Sequence, residues 1–184
     1  MAQQFFWTSR YPGKDNQLGK YDFRLIDASN EFGLNLQEDP NTYDDFKSGE
    51  LHIPKGKEVL LKIRAKDVLH SVFLPHFRVK MDAVPGMPTQ FKFVATKTTA
   101  EMRSETGNPN FNYEMACTEV CGKGHFSMKF PVVVEDQEDY DKWKAAQESW
   151  LKQNPDYMKF VPEKYKEMAN LKSGIILSEV TASN

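Results

Sequence analysis

Residues 117–128 bring two thiols, an imidazole and a thioether into one short segment. Cys117, Cys121, His125 and Met128 form a Cys-x3-Cys-x3-His-x2-Met pattern, and its two cysteines are the only ones in the chain. Thiolate, imidazole and thioether are ligands that soft copper selects. One cysteine with His and Met would suggest a single electron-transfer copper. The second cysteine at this spacing predicts two coppers bridged by both thiolates.

The spacing has a chemical explanation. A copper ion that cycles between Cu(I) and Cu(II) needs ligands that both oxidation states accept, and thiolate with imidazole meets this need. A single loop between two strands would carry the ligands, so a β-sandwich would keep their geometry nearly constant on reduction. Two bridging thiolates would also spread the charge over both ions. Gly122 and Gly124 suit a tight loop, because glycine turns without steric cost.

A second imidazole has to come from outside this loop. The chain has four histidines, one of which is His125. His70 stands at the end of an apolar strand, where a ligand could project towards a loop. His76 follows a proline in a loop, and His52 lies beside a turn. The pattern favours His70 and keeps His76 as an alternative.

Other chemistry would use the same residues. Two cysteines and two histidines could hold a structural zinc ion, but Met128 would then have no role and the usual cysteine spacing is shorter. A reversible dithiol more commonly has a Cys-x2-Cys motif. A disulfide would close too short a loop to brace the fold strongly. Met128 alone would be a core residue, but its position three residues after His125 favours a ligand.

Composition sets the broad class of the protein. A chain of 184 residues fits one domain with an appendage. The net charge of −2, without a long basic stretch, argues against nucleic-acid binding. No apolar run reaches the roughly 18 residues of a membrane span, and Met1 does not begin a signal-peptide pattern. We therefore expect the chain as given to be soluble.

Short segments of alternating apolar residues predict strands, and so do the apolar stretches 68–74 and 130–134. Pro54, Gly56 and the stretch 84–88 predict turns between them. This spacing of strands and turns indicates an all-β, antiparallel sandwich. Residues 8–41 are less regular and predict a partial strand followed by loops. The predicted strands lie within residues 51–84, including 59–63 and 68–74, and at 90–94, around 111–115, and at 130–134.

The pattern changes after Glu135. Tyr140, Trp143, Trp150 and Leu151 recur at helical spacing, and Asn154-Pro155 would end that helix. A second short helix would begin at Pro162, with Tyr165, Met168 and Leu171 on one side and Gly174 beyond its end. We expect these aromatic residues to pack rather than to contact a cofactor. The sequence thus predicts a sandwich domain at 1–135 and a helical extension at 136–184.

Three segments together resemble subunit II of the haem–copper cytochrome c oxidases. They are Asp67–Ser71, Val79–Gly86 and the metal motif at 117–128, and the resemblance covers most of residues 4–134. The two cysteines separate the chain from related quinol oxidases, which lack the copper ligands. The resemblance implies a cupredoxin-like Greek-key β-sandwich. In the full-length protein it would lie on the extracytoplasmic, periplasmic face of the inner membrane.

The resemblance also implies a complete binuclear Cu-A centre. Both cysteines would bridge the two coppers. His70 and Met128 would complete one copper, and His125 with the backbone carbonyl of Glu119 would complete the other. The Glu119 side chain would approach a magnesium ion only in the full complex, at the interface with subunit I. His52 and His76 would be structural or exposed. The implied metal ligands are His70, Cys117, Glu119, Cys121, His125 and Met128.

Some features depart from the family pattern. Relatives carry a transmembrane hairpin before this domain, so we expect an excised fragment beginning at Met1, with membrane association only through a missing N-terminal anchor. Many relatives have tryptophan at the position of Phe5, near the point where the donor's electron arrives. Phe5 and Trp7 are therefore candidates for that role. No Cys-x-x-Cys-His motif is present for a covalently attached haem.

The expected function is electron transfer within a larger oxidoreductase. The chain would accept electrons from a cytochrome c-like donor and pass them to haem in subunit I, where oxygen is reduced to water. Alone it would not turn over. One alternative is the Cu-A domain of a nitrous oxide reductase, which needs more histidines and usually has tryptophan in the loop. Another is a copper-binding or copper-delivery protein, whose site would be exposed and exchange copper rapidly.

Overall fold

The computed structural model describes residues 1–175, and residues 176–184 of the predicted extension lie outside the described residues. The chain divides into two compact units. The first comprises Met1–Ser9 with Ser48–Trp143, and the second comprises Arg10–Lys47 with the described residues from Lys144 onward. The domain boundary that the sequence suggests after Glu135 stays a prediction.

The described residues form short strands and a few helices. The strands are β1 Ala2–Gln3, β2 Phe6–Trp7, β3 Ser9–Tyr11, β4 Phe46–Ser48, β5 Leu51–Pro54, β6 Glu58–Ile63, β7 His70–Leu74, β8 Val79–Ala83, β9 Thr89–Val94, β10 Tyr113–Cys117 and β11 Lys129–Glu135. The α-helices are α1 Thr99–Thr106, α2 Gln137–Ala145, α3 Trp150–Gln153 and α4 Lys166–Ser173. The predicted all-β, cupredoxin-like sandwich with helices after it is confirmed.

The largest sheet has five strands in the order β5-β11-β10-β7-β8, and β6 pairs with β9 in a second sheet. Most neighbours are antiparallel, but β5 and β11 are parallel, with Leu51 opposite Val132. The expected antiparallel pairing was therefore wrong at this edge of the sheet. Parallel neighbours need a long crossover connection, and alternation within a strand carries no information about the direction of its partner.

Alternating side chains explain why these segments are strands. In β6, Ile63 is buried while Leu60 is 50 % exposed, because successive side chains point to opposite faces. In β11, Phe130, Val132 and Val134 are buried, and the residues between them point outward. These buried faces anchor the strands whose ends carry the metal loop.

Helix α1 begins with a capping box, and no helix was predicted at this position from the sequence. Thr98 accepts a hydrogen bond from the Glu101 N–H, and the Glu101 carboxylate accepts one from the Thr98 N–H. Gly107 ends the helix at φ 63°. The Thr-x-x-Glu pattern is a sequence signal for a helix start, so this helix could have been predicted.

The first helix expected after Glu135 is interrupted. The structure has two helices, α2 and α3, because Ser149 starts a new helix by accepting a hydrogen bond from the Lys152 N–H at 3.1 Å. Trp150 is buried, as expected for a packing residue.

The second short helix is present as α4, and Gly174 ends it at φ 75°. It begins at Lys166 and not at the predicted Pro162, which precedes a short 3-10 helix at Glu163–Tyr165. Its buried side differs from the predicted one, since Leu171 is 83 % exposed and Ala169 is fully buried. Helical spacing alone could not select the face, because small side chains make the contact here. Among the helices of residues 1–175, none has the length and apolar character needed to cross a membrane.

The β5–β11 edge should contribute strongly to stability. Ile53 is fully buried and lies opposite Val134, so Ile53→Ala should lower the free energy of unfolding by about 2–5 kcal/mol through lost contacts and a cavity. Leu60→Ala, on the exposed face of β6, is the matched control and should change it by less than about 0.5 kcal/mol. Urea unfolding of the copper-free chain measures both, and equal losses would contradict the assignment of the core.

Candidate metal centre

The segment 117–128 is the connection between two paired strands. Cys117 is the last residue of β10, and Met128 immediately precedes β11. The Cys117 N–H donates to the Met128 carbonyl at 3.1 Å, which brings the two ends of the segment together. We call residues 117–128 the metal loop. Its first and last candidate ligands are therefore neighbours.

Strand β7 adds the imidazole from outside the loop. In the sheet β7 lies beside β10, with Val72 opposite Cys117, and the Thr118 N–H donates to the Ser71 carbonyl at 3.1 Å. This register places His70, the first residue of β7, at the edge where the loop leaves β10. His70 is fully buried. The pairing of strands therefore joins a distant histidine to the loop.

The candidate side chains come within a few ångströms of one another. One nitrogen of His70 and the sulfurs of Cys117 and Cys121 all lie within 4.8 Å of each other. His70 Nδ1 is 3.9 Å from the first sulfur, and His125 Nδ1 is 3.7 Å from the second. Met128 Sδ is 3.8 Å from the Cys121 sulfur. The structure thus gathers one thioether, two imidazoles and two thiols.

Glu119 reaches the centre through its backbone only. Its carbonyl oxygen lies 3.2 Å from the Cys117 sulfur, while the residue is exposed. The carbonyl therefore lies where a ligand would be needed, and the carboxylate is left available at the surface of this unit.

The two thiols are free and buried. Burial, and next the neighbouring Cys117 thiol, raise the pKa of Cys121 to about 11. This thiol is therefore protonated at neutral pH without a metal. Since metals bind the thiolate, binding must displace a proton, and affinity should rise with pH.

Asp67 orients the buried imidazole. His70 Nε2 lies 2.9 Å from Asp67 Oδ1, and the ionised carboxylate can only accept, so Nε2 carries the proton and Nδ1 presents its lone pair towards Cys117. Burial opposes ionisation of Asp67, but hydrogen bonds from the Gln4 N–H, from His70 and from the Val68 N–H outweigh it and lower the pKa of Asp67. The carboxylate thus fixes the tautomer that can bind a metal.

The N-terminal residues Gln4–Trp7 lie along the metal loop, and we call them the strap. The Gln4 N–H donates to Asp67 Oδ2 at 2.7 Å, and its side-chain amide donates to the Cys121 carbonyl. The Trp7 indole N–H donates to the Met128 carbonyl at 3.3 Å, and its ring lies edge-on to that of His70, with 6.1 Å between centroids. The strap therefore connects the metal loop to Asp67, the residue that orients His70.

Close packing against the strap explains the two loop glycines. A Cβ at Gly122 would come within 2.9 Å of the Phe5 ring, and one at Gly124 within 2.4 Å. Gly122 also has φ 138°, in the region that favours glycine. Phe5 and Trp7, the candidates for receiving an electron, both lie against the loop; which of them does so stays a prediction.

The other two histidines lie elsewhere. His52 is buried, 2.8 Å from Glu135 and 3.1 Å from Glu50, and stacks on Trp143 with 3.9 Å between ring centroids. His76 is exposed in the turn that follows β7, at the opposite end of that strand from His70.

Sequence reasoning did not single out Gln4 or Asp67 as supports of the site. The role of Asp67 could have been predicted, because it lies three residues before the candidate ligand His70. The role of Gln4 could not, since its partner carbonyl is 117 positions away.

The residues present fit copper by the chemistry of their donors. Two sulfurs and two imidazole nitrogens with a thioether form a soft ligand set, and the buried His70 is already held in a binding tautomer. A hard cation such as Ca²⁺ would instead need several oxygen ligands. The Glu119 carbonyl is the one oxygen of the metal loop that lies beside a cysteine sulfur.

Comparison with known proteins gives one consistent family. The family of cytochrome c oxidase subunit II periplasmic domains matches residues 1–137. The alternative cytochrome c oxidase subunit 2 of Bradyrhizobium diazoefficiens is 40 % identical over 152 residues, covering 82 % of this chain and 50 % of that protein. The cytochrome c oxidase subunit 2 of Thermostichus vulcanus is 41 % identical over 110 residues, covering 59 % and 30 % respectively.

A solved structure is also similar. It is the periplasmic domain of subunit II of cytochrome oxidase from Bradyrhizobium japonicum, with 28 % identity, coverage of 54 % of this chain and 63 % of that one, and a TM-score of 0.45. The chain thus spans half or less of the length of the two curated relatives above.

Removal of the Asp67 carboxylate should weaken copper binding without removing a ligand. Asp67→Ala leaves the proton of His70 Nε2 and the Gln4 N–H without their acceptor, so copper affinity should fall about 10–100-fold. Chelator competition measures it. Glu58→Ala removes an exposed carboxylate of the same unit and should leave the affinity unchanged. Equal affinities for Asp67→Ala and the unaltered chain would refute the orienting role.

Proposed function

Because the chain belongs to the family of cytochrome c oxidase subunit II periplasmic domains, we propose that it accepts single electrons at a binuclear Cu-A centre and passes them to haem in subunit I. The donor is a cytochrome c-like protein. The observation that carries this proposal is the gathering of His70, Cys117 and Cys121 within 4.8 Å, with His125 and Met128 beside them.

The assignment of ligands to each copper is the one that the family resemblance implies. Cys117 and Cys121 would hold both coppers, His70 and Met128 would complete one, and His125 with the Glu119 carbonyl would complete the other. The short separations support a shared site for these groups, since each lies within 4 Å of one of the two cysteine sulfurs. When bound, the copper pair supplies a one-electron couple whose charge is shared between two ions.

The protein's own residues prepare the site for electron transfer. Burial of both thiols and of His70 and Met128 excludes water from the ligands. Asp67 holds the imidazole, and the strap holds the loop through the Cys121 and Met128 carbonyls. A centre held at several points changes its geometry little between oxidation states.

Exposed apolar side chains beside the ligands support contact with partner proteins. Val120 and Phe126, both on the metal loop, are 80 % and 83 % exposed, and Leu69 precedes His70 with half of its surface exposed. Apolar groups exposed together commonly mark an interaction surface. Such contact brings the donor and subunit I close to the ligands.

The remaining features of the family follow as parts of the same proposal. The domain lies on the periplasmic face of the inner membrane, held there by an N-terminal anchor of the full-length subunit. The exposed Glu119 carboxylate contributes to a magnesium site at the interface with subunit I. The oxidase as a whole reduces oxygen to water. No finding favours the nitrous oxide reductase or copper-delivery alternatives.

Stopped-flow reduction of the copper-loaded chain by reduced cytochrome c tests the function. His70→Ala should slow the reduction more than about tenfold, because loss of a supporting partner alone typically changes a metal site 10–100-fold. His76→Ala removes an exposed histidine far along β7 and should leave the rate unchanged. No reduction of the unaltered chain, or equal rates in both variants, would contradict the proposal.

A further inference from the structure

A pocket lies in the first compact unit, away from the metal loop. It is an open cleft of about 290 Å³, formed where β9, β10 and the turn after β7 meet. The turn comprises Pro75–Phe77 and ends at Arg78. Because His70 begins β7 and this turn follows its end, the pocket and the metal loop lie at opposite ends of that strand.

Aromatic rings form the walls of the pocket. The Phe77 ring lies 5.3 Å from that of Phe93 and 4.9 Å from that of Tyr113, measured between centroids. Tilted rings at these separations are mutually attractive and form a stable apolar surface. A flat ring is the ligand shape that gains most from such walls.

Arg78 stands at the rim in a left-handed conformation, with φ 55° and ψ 35°. A glycine would adopt this conformation without steric cost, whereas non-glycine residues held there are enriched at ligand-binding sites. An arginine in a position that favours glycine points to a role for its side chain. Within residues 1–175 the structure gives the Arg78 guanidinium no ion pair and no hydrogen bond.

The other charges near the pocket are already matched. Lys97, on the rim, forms an ion pair with Glu105, and Glu101 forms one with Lys55. The unmatched charge at the pocket is therefore positive and belongs to Arg78. A guanidinium binds a carboxylate or a phosphate through two parallel hydrogen bonds.

We propose that this pocket binds a small aromatic anion, a single flat ring carrying a carboxylate or a phosphate. The ring lies against Phe77 and Phe93, and the anionic group meets the Arg78 guanidinium. The volume is near the lower end of the range of ligand pockets, which suits one ring with one acidic group. This site is independent of copper.

NMR titration of the copper-free chain tests the proposal with defined probes. Benzoate and phenyl phosphate should each cause saturable shifts at Phe77, Phe93 and Tyr113, and their relative affinities show which acidic group the site prefers. Inorganic phosphate and acetate supply the anion without a ring, and benzyl alcohol supplies the ring without charge. All three should bind at least about tenfold more weakly, since each lacks one contact.

Arg78→Asn removes the charge with a residue that tolerates the left-handed conformation, and it should weaken both aromatic anions by about tenfold or more. Lys80→Asn removes the same charge from the neighbouring strand β8 and should leave binding unchanged. Phe93→Leu tests the ring contact separately and should reduce the preference for phenyl phosphate over phosphate, with Phe77 still in place. It keeps the proposal testable if the Arg78 variant fails to fold.

Three results would overturn the site. They are the absence of saturable shifts with both aromatic probes, equal binding of phosphate and phenyl phosphate, and unchanged binding in a folded Arg78→Asn or Phe93→Leu variant. None of them bears on the copper centre, so failure here leaves the proposed function standing.

Discussion

The hydrogen bond from the Cys117 N–H to the Met128 carbonyl closes the metal loop, and the ligand arrangement depends on it. It is the last link of the β10–β11 ladder, so the stability of that pairing sets how firmly the loop ends are joined. Between these ends the chain has room only for a tight path, which turns Cys121 and His125 back towards Cys117. Strand β7, paired with β10 on its other side, then needs only its first residue, His70, to complete the set.

The strap joins parts of the metal centre that are far apart in the sequence. Gln4 joins the Asp67 carboxylate to the Cys121 carbonyl, so the support of the outside imidazole and the middle of the loop share one residue. Phe5 packs where the loop has glycine, and Trp7 holds the far end of the loop. A change in the strap is therefore expected to act on both imidazole and thiolate ligands, although the strap supplies no ligand.

Local sequence patterns predicted the features that depend on neighbouring residues, namely the individual strands and the spacing of the candidate ligands in the loop. Alternation predicted β6, β9 and β10, and apolar stretches predicted β7 and β11. The spacing of the loop residues and the family resemblance selected candidate ligands, three of which the structure places within 4.8 Å of one another; their role as ligands stays a prediction. The parallel partner of β11 and the contacts of Gln4 could not be predicted, because pairing across the chain leaves no periodic signal. The break before α3 depends on one hydroxyl, Ser149, which competes with the helical spacing around it. The start of α1 could have been predicted from its capping box, the Thr98-x-x-Glu101 pattern, but it was not.

The central claim is that five side chains and one carbonyl hold two coppers that share one electron. Electron paramagnetic resonance of the copper-loaded, partly oxidised chain tests it most directly, together with a copper count. The account predicts two copper ions per chain and hyperfine splitting from two equivalent copper nuclei, because both thiolates bridge. One copper per chain, or the spectrum of an isolated Cu(II) ion, would contradict it.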